Sequence, residues 1–287
     1  MAWTPSLLDV FESKYGYNLK PFLPLVMYGD NNINIQSTQP GYTQCLLSTP
    51  DQGLGYVNDF RGALVEGYRH YLQEITSWVN SKLNLQMSAQ VSYNLPMDME
   101  ANIPFVNAPE CESLQFVNNI DGYRQFSGPA NLAGKRVISN EMGAVMLESY
   151  NYPHSELLFS VNRAVAGGVN QVVLHGQSYT GDYYGTTWPG YTAFGYLFSD
   201  SYSDKQPSWN NGFGDVLEYI ARVQFLQQSG IPRVDVAIYN KVSATNPNFP
   251  TLYASDDLLD AGVSVRSGQY RMLADLCRVL LHLLVTG

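Results

Sequence analysis

Arg136-Val137-Ile138-Ser139-Asn140-Glu141 and, further on, Gln171-Val172-Val173-Leu174-His175-Gly176 are two short apolar runs that end on polar residues. Between them, Ser155 to Ala166 has helical spacing of its apolar residues, and Gly167-Gly168 stops it. Strand, helix and strand in that order imply two parallel strands joined by a helical crossover. Upstream the alternation continues. Leu85 to Val91 and Ile103 to Val106 read as strands, Gly128 to Leu132 as a helix, and Asn107 to Glu112 as a strand-end segment. A long helix is expected from about Asn58 to Leu83, preceded by a turn-rich loop from Gly29 to Gly55. Before that, Ser6 to Tyr15 reads as a helix begun by Thr4-Pro5-Ser6 and closed by Gly16.

The polar residues just past the strand ends occupy the positions from which (β/α)-barrel enzymes draw their catalytic groups. A doubly wound sheet would also bind at strand ends. However, no G-x-G-x-x-G follows a strand and no Walker motif occurs, so the α/β fold expected is a TIM-type (β/α) barrel. Its domain spans residues 1–212. Residues 213–287 then supply a linking helix, Gly214 to Gln228, and a buried strand, Arg233 to Tyr239. A helix from Asp256 to Ala261 and a strand from Val263 to Val265 follow, the start of a small Rossmann-like domain.

Composition narrows the function. The chain of 287 residues is 45% hydrophobic and 13% aromatic, which excludes disorder along most of its length. Its formal net charge of -9 would repel a polyanion, which argues against a nucleic-acid partner. The apolar tail from Met272 to Val285 contains Asp275, Arg278 and His282 and is too short to span a bilayer, so no membrane role is expected. The opening Met-Ala-Trp-Thr-Pro-Ser lacks the basic and apolar regions of a signal peptide, and no Asn-x-Ser/Thr sequon occurs. Cys45, Cys111 and Cys277 are widely spaced and read as buried free thiols. The 21 tyrosines, with abundant Asn, Ser and Gln, suit a neutral polar ligand such as a sugar.

Glycoside hydrolysis needs two carboxyl groups flanking the scissile bond, and neighbouring barrel strands can present them. Glu110, Glu112 and Glu141 are the best-placed candidates, a solvated strand-end carboxylate being the competing reading. Pro109-Glu110-Cys111-Glu112, if folded as a turn, lets both acids ligate a hard cation such as calcium, with Glu110 the assigned ligand. The alternative is that Glu112 caps the helix that follows. Asn140, Asp98 and His175 are expected to touch substrate, and so are Tyr179, Tyr183 and Trp188, whose rings can stack on sugar C–H faces. A structural histidine and a self-packed tyrosine loop are the competing readings. No H-E-x-x-H and no G-x-S-x-G occur, which argues against a zinc protease and a common serine hydrolase.

Several runs together resemble glycoside hydrolase family 106, the α-L-rhamnosidase-like proteins. They are Val137-Ile-Ser-Asn-Glu-Met142, Ala166-Gly-Gly-Val-Asn-Gln-Val-Val-Leu-His-Gly176, Trp188-Pro-Gly190, Tyr219-Ile-Ala-Arg-Val-Gln-Phe-Leu-Gln-Gln-Ser-Gly230 and Val234-Asp-Val-Ala-Ile-Tyr239. The opening from Trp3 to Pro24 also looks like that family's first segment. The resemblance covers about residues 3 to 265. It implies inverting cleavage of terminal α-L-rhamnosides, a carbohydrate substrate, calcium in the site and an extracellular setting. It carries Glu112, Glu141 and His175 onto strand-end positions of the family's pocket, which makes Glu141 and Glu112 the expected acid and base, in unassigned order. Family members are longer and have an acidic motif upstream of the first matching segment. The expectation is therefore a barrel with its later strands only, lacking one family carboxylate. Two other outcomes stay open: a non-catalytic carbohydrate-binding remnant, and a polysaccharide lyase on the same barrel.

Overall fold

Leu7 and Phe11 lie four residues apart, so a helix places both on one face, and in the computed structural model both are buried. The structure describes residues 4–28, 45–92, 98–176, 197–199, 207–234, 236–239 and 265–268. These fall into two units, one of Met1–Asn107 with Ala237–Asp256 and Ser267–Gly287, the other of Ala108–Val236 with Asp257–Arg266.

In the first unit, helix α1 (Leu7–Tyr15) ends at Gly16, whose φ of 76° is the left-handed cap anticipated from sequence. Helices α2 (Leu23–Tyr28) and α3 (Leu54–Trp78) pack with it around Phe11, Leu19, Val26, Phe60, Ala63 and Leu64. Helix α3 begins about one turn earlier than the apolar spacing indicates, because Asp51 caps it. Its carboxylate accepts from the N–H groups of Gly53 (3.2 Å) and Gly55 (3.0 Å). Those bonds, with the stronger one from the Thr49 hydroxyl, hold the Asp51 carboxyl below its ordinary range. Of the expected stripe, Phe60, Leu64 and Leu72 are buried, whereas Tyr71 and Trp78 are more than half exposed. Strand β1 is Ser88–Gln90, and helix α4 (Met99–Asn102) follows.

The second unit contains strand β2 (Ala108–Glu112), helices α5 (Ser113–Phe116) and α6 (Ile120–Leu132), strand β3 (Ser139–Met142), helix α7 (His154–Ala166), strand β4 (Gln171–Leu174) and helix α8 (Phe213–Ser229). Strands β2, β3 and β4 are parallel neighbours. The parallel sheet with helical crossovers therefore forms as expected, and α7, α8 and β4 lie where the sequence places them. Beyond α8, strands β5 (Val236–Tyr239) and β6 (Val265–Gly268) pair with each other.

Other boundaries differ too. Ile103–Phe105 is a short 3-10 turn with Pro104 in its first positions, and the strand forms instead at Ala108–Glu112. β3 starts at Ser139 rather than Arg136. The Ile138 N–H donates to the Asn170 side chain (2.8 Å), and its carbonyl accepts from the Asn170 and Gln171 N–H groups, so the regular ladder begins one residue later. α6 starts at Ile120, because Asn119 caps it by accepting from the N–H groups of Asp121 (3.0 Å) and Gly122 (3.2 Å).

Helix α7 closes against α6 through a glycine. A Cβ on Gly167 would lie 2.3 Å from Tyr123 Cβ and 2.9 Å from the Ile120 carbonyl oxygen, while its own carbonyl accepts from Ser127 Oγ at 2.6 Å. Gly167→Ala is expected to cost about 1–3 kcal/mol, as other overpacked sites do, visible as a lower urea midpoint with unchanged far-ultraviolet dichroism. Cys111 sits in β2 at 1% exposure. Burial, followed by the negative charge of Glu110 and Glu112, pushes its thiol well above the ordinary range. In a Cys277→Ser variant, Ellman's reagent should therefore react with about one thiol, that of the part-exposed Cys45, in the native chain. Cys111 should react only in denaturant; prompt labelling of both would contradict its place in the sheet.

Candidate active site on the parallel sheet

Residues two apart in a strand share a face, and in-register partners on a neighbouring strand share it too. In this ladder Glu110 is opposite Ser139, Cys111 opposite Asn140, and Glu112 opposite Glu141. On the other side of β3, Ser139 is opposite Gln171 and Glu141 opposite Val173. One face therefore carries two rows, Glu110–Ser139–Gln171 and Glu112–Glu141–Val173. The opposite face carries Cys111, Asn140 and Met142, all at 1% exposure or less.

Glu112 and Glu141 are thus direct neighbours, on strands whose backbones lie about 4.8 Å apart. Glu112 is 5% exposed and Glu141 is partly buried. Glu112 also occupies the N-cap position of α5, but its side chain makes no capping hydrogen bond there. Glu110 lies one pair earlier, and its Oε2 accepts from the Ser139 hydroxyl at 2.8 Å. Ser139 itself was not among the sequence candidates. Only the register reveals it, as the residue opposite Glu110.

Asn140 does not join the carboxylates. It is fully buried on the far face, where its Oδ1 accepts from the Cys111 thiol at 3.3 Å. Asp98 belongs to the first unit. It is 3% exposed and caps α4, accepting from the Ala101 N–H at 3.1 Å. His175 follows the last residue of β4. Its backbone N–H donates to the Met142 carbonyl (2.8 Å), and its Nδ1 is 3.1 Å from the Ser199 carbonyl oxygen. A carbonyl can only accept, so this contact requires a proton on Nδ1. Ser199 is fixed in turn by bonds between its hydroxyl, the Val145 N–H and the Gly143 carbonyl. Tyr179, Tyr183 and Trp188 lie outside the described residues.

Among the described residues, no three His, Cys, Asp or Glu side chains converge as a bound cation would require. Glu110 directs one oxygen to Ser139.

A cavity of about 560 Å³ opens at the C-terminal ends of β2 and β3. Ser113 and Met142, the residues immediately after Glu112 and Glu141, line it, but neither glutamate does. Sequence reading did not find it, because its walls come from three separate segments: α5 and the turn after it, the stretch from Met142 to Met146, and Tyr152 to Ser160.

No curated protein sequence matches this chain. Among solved structures, a rhamnosidase from Novosphingobium sp. PP1Y superposes with a TM-score of 0.65 at 18% identity, over 94% of this chain and 24% of that one. That likeness speaks for the fold, and the chain spans about a quarter of the length of the rhamnosidase it matches. The model of the alpha-L-rhamnosidases of glycoside hydrolase family 106 matches residues 1–261. With a parallel sheet presenting paired glutamates, and a family match across nearly its whole length, this chain belongs to glycoside hydrolase family 106.

Proposed function

We propose that the chain hydrolyses terminal α-L-rhamnosides of glycans, with Glu112 and Glu141 as its two working carboxylates. The observation that carries this reading is the in-register pairing of Glu112 with Glu141 on one face of the sheet. One acts as general acid on the leaving oxygen and the other as general base on water. His175, Tyr179, Tyr183 and Trp188 contact the sugar. Ser139 orients Glu110 beside the pair, and Asn140 acts through the placement of β3. The parallel strands are read as part of a TIM-type barrel over residues 1–212, and residues 213–287 as a linking helix and the start of a Rossmann-like domain.

The family implies inversion, which requires the carboxyl groups to be about 6.5–9.5 Å apart, with a water between them. Two extended glutamates that start about 4.8 Å apart at the backbone reach that span only if their side chains splay.

The test is release of p-nitrophenol from p-nitrophenyl α-L-rhamnoside by the full chain. Glu141→Gln and Glu112→Gln should each lower kcat/KM by about 10²–10⁴-fold with the urea midpoint little changed. Proton NMR of the first product should show the β anomer; the α anomer would mean retention instead. Absence of turnover by the folded chain across several aryl glycosides would favour a carbohydrate-binding protein without catalysis.

A further inference from the structure

We propose that this chain holds a second small-molecule site, a pocket for a monocarboxylate with a short apolar chain, where α6 and α8 end beside the starts of β3 and β4. It is independent of the glycosidase reading, because its residues precede the two strands and its test measures binding alone. The pocket has a volume of about 190 Å³, below the roughly 300–1,000 Å³ of drug-sized sites, which suits a ligand of few atoms. Lys135 and Arg136 line it, and among the described residues no carboxylate does. The segment that carries these two cations is fixed. α6 gives way to Gly134, whose left-handed φ of 68° lets the Lys135 N–H turn back to the Ala130 carbonyl at 2.9 Å. The Asn170 amide then donates to the Arg136 carbonyl at 3.0 Å, and Gln228 donates to the Asn170 carbonyl at 2.8 Å.

Charge selects the ligand. Among the described residues neither Lys135 nor Arg136 pairs with a carboxylate. Burial holds the Lys135 ammonium below the ordinary lysine range, and no described acid offsets that effect. The carbonyl ends of α6 and α8 supply about half a negative charge each, so roughly one positive charge is left to balance. A monocarboxylate balances it, and its two oxygens match the fork of a guanidinium. A phosphate dianion would leave a negative excess, and a neutral sugar would leave the positive charge as it is. Leu226 and Ile231 continue the wall at 69% and 88% exposure. That apolar surface is what a short hydrocarbon chain would cover.

The experiment uses the full chain with ¹³C-methyl isoleucine, the Ile231 signal being assigned through Ile231→Val. It is titrated separately with hexanoate, hexan-1-ol, hexylamine and inorganic phosphate at constant ionic strength and about pH 8, where hexanoate is a monoanion and phosphate largely a dianion. The expected result is a saturable shift of the Ile231 methyl signal with hexanoate, at an affinity on the order of 1 mM and about tenfold tighter than the other three. Lys135→Gln and Arg136→Gln, at half-buried and exposed positions, should each weaken hexanoate binding about three- to tenfold with the urea midpoint little changed. No shift up to about 50 mM hexanoate, equal binding of hexan-1-ol or phosphate, or undiminished binding in both variants would overturn the proposal.

Discussion

Parallel strands offer no short hairpin to set their alignment, so the pairing of β2, β3 and β4 rests on backbone hydrogen bonds and on what each face must bury. A slip of one residue would exchange the two faces. Cys111, Asn140 and Met142 would then turn toward the carboxylate face, and Glu112 and Glu141 would turn into the packed layer beneath α6 and α7. The residues now packed there, Cys111, Asn140 and Met142, are all at 1% exposure or less, and a slip would take all three out of that layer at once. The same constraint makes Glu112 and Glu141 neighbours and sets Ser139 opposite Glu110.

Side-chain amides hold that register from outside the ladder. Asn170 ties the start of β3 to the start of β4, accepting from the Ile138 N–H and donating to the Arg136 carbonyl. α8 adds two more such bonds: Gln224 accepts from the Val172 N–H, and Gln228 donates to the Asn170 carbonyl. A strand N–H that no described strand receives is thus satisfied from a helix, one way in which a sheet edge is kept from pairing elsewhere. At the other end of β4, the His175 N–H extends the ladder to the Met142 carbonyl while the ring reaches Ser199. The imidazole is fixed by the same segment that closes against Val145, and its orientation belongs to the sheet rather than to a free loop.

How far the sequence could be read depended on whether a signal was local. α1, α7 and α8 carry apolar periodicity with a glycine at the end, and such local signals place helices well. Asp51 and Asn119 moved the starts of α3 and α6, because a cap several residues upstream outranks the first apolar position. The strands were legible as elements but not in phase. Val137-Ile138 reads as strand interior, yet Ile138 spends its backbone groups on Asn170, a residue more than thirty positions away in the chain. The resemblance named Glu112 and Glu141 together as acid and base, but their register was not legible: only the ladder sets Glu112 directly opposite Glu141 and Ser139 opposite Glu110. Asp98 looked like a loop acid, and its use as a helix cap becomes visible only once α4 exists.

Alternation along a strand also ties the carboxylate face to the cavity. Glu141 and Met142 are consecutive and point to opposite sides, and Glu112 and Ser113 stand at the same level one strand away. Each pair shares one peptide unit, so a rotation of either strand end that moves a glutamate also moves a wall of the cavity.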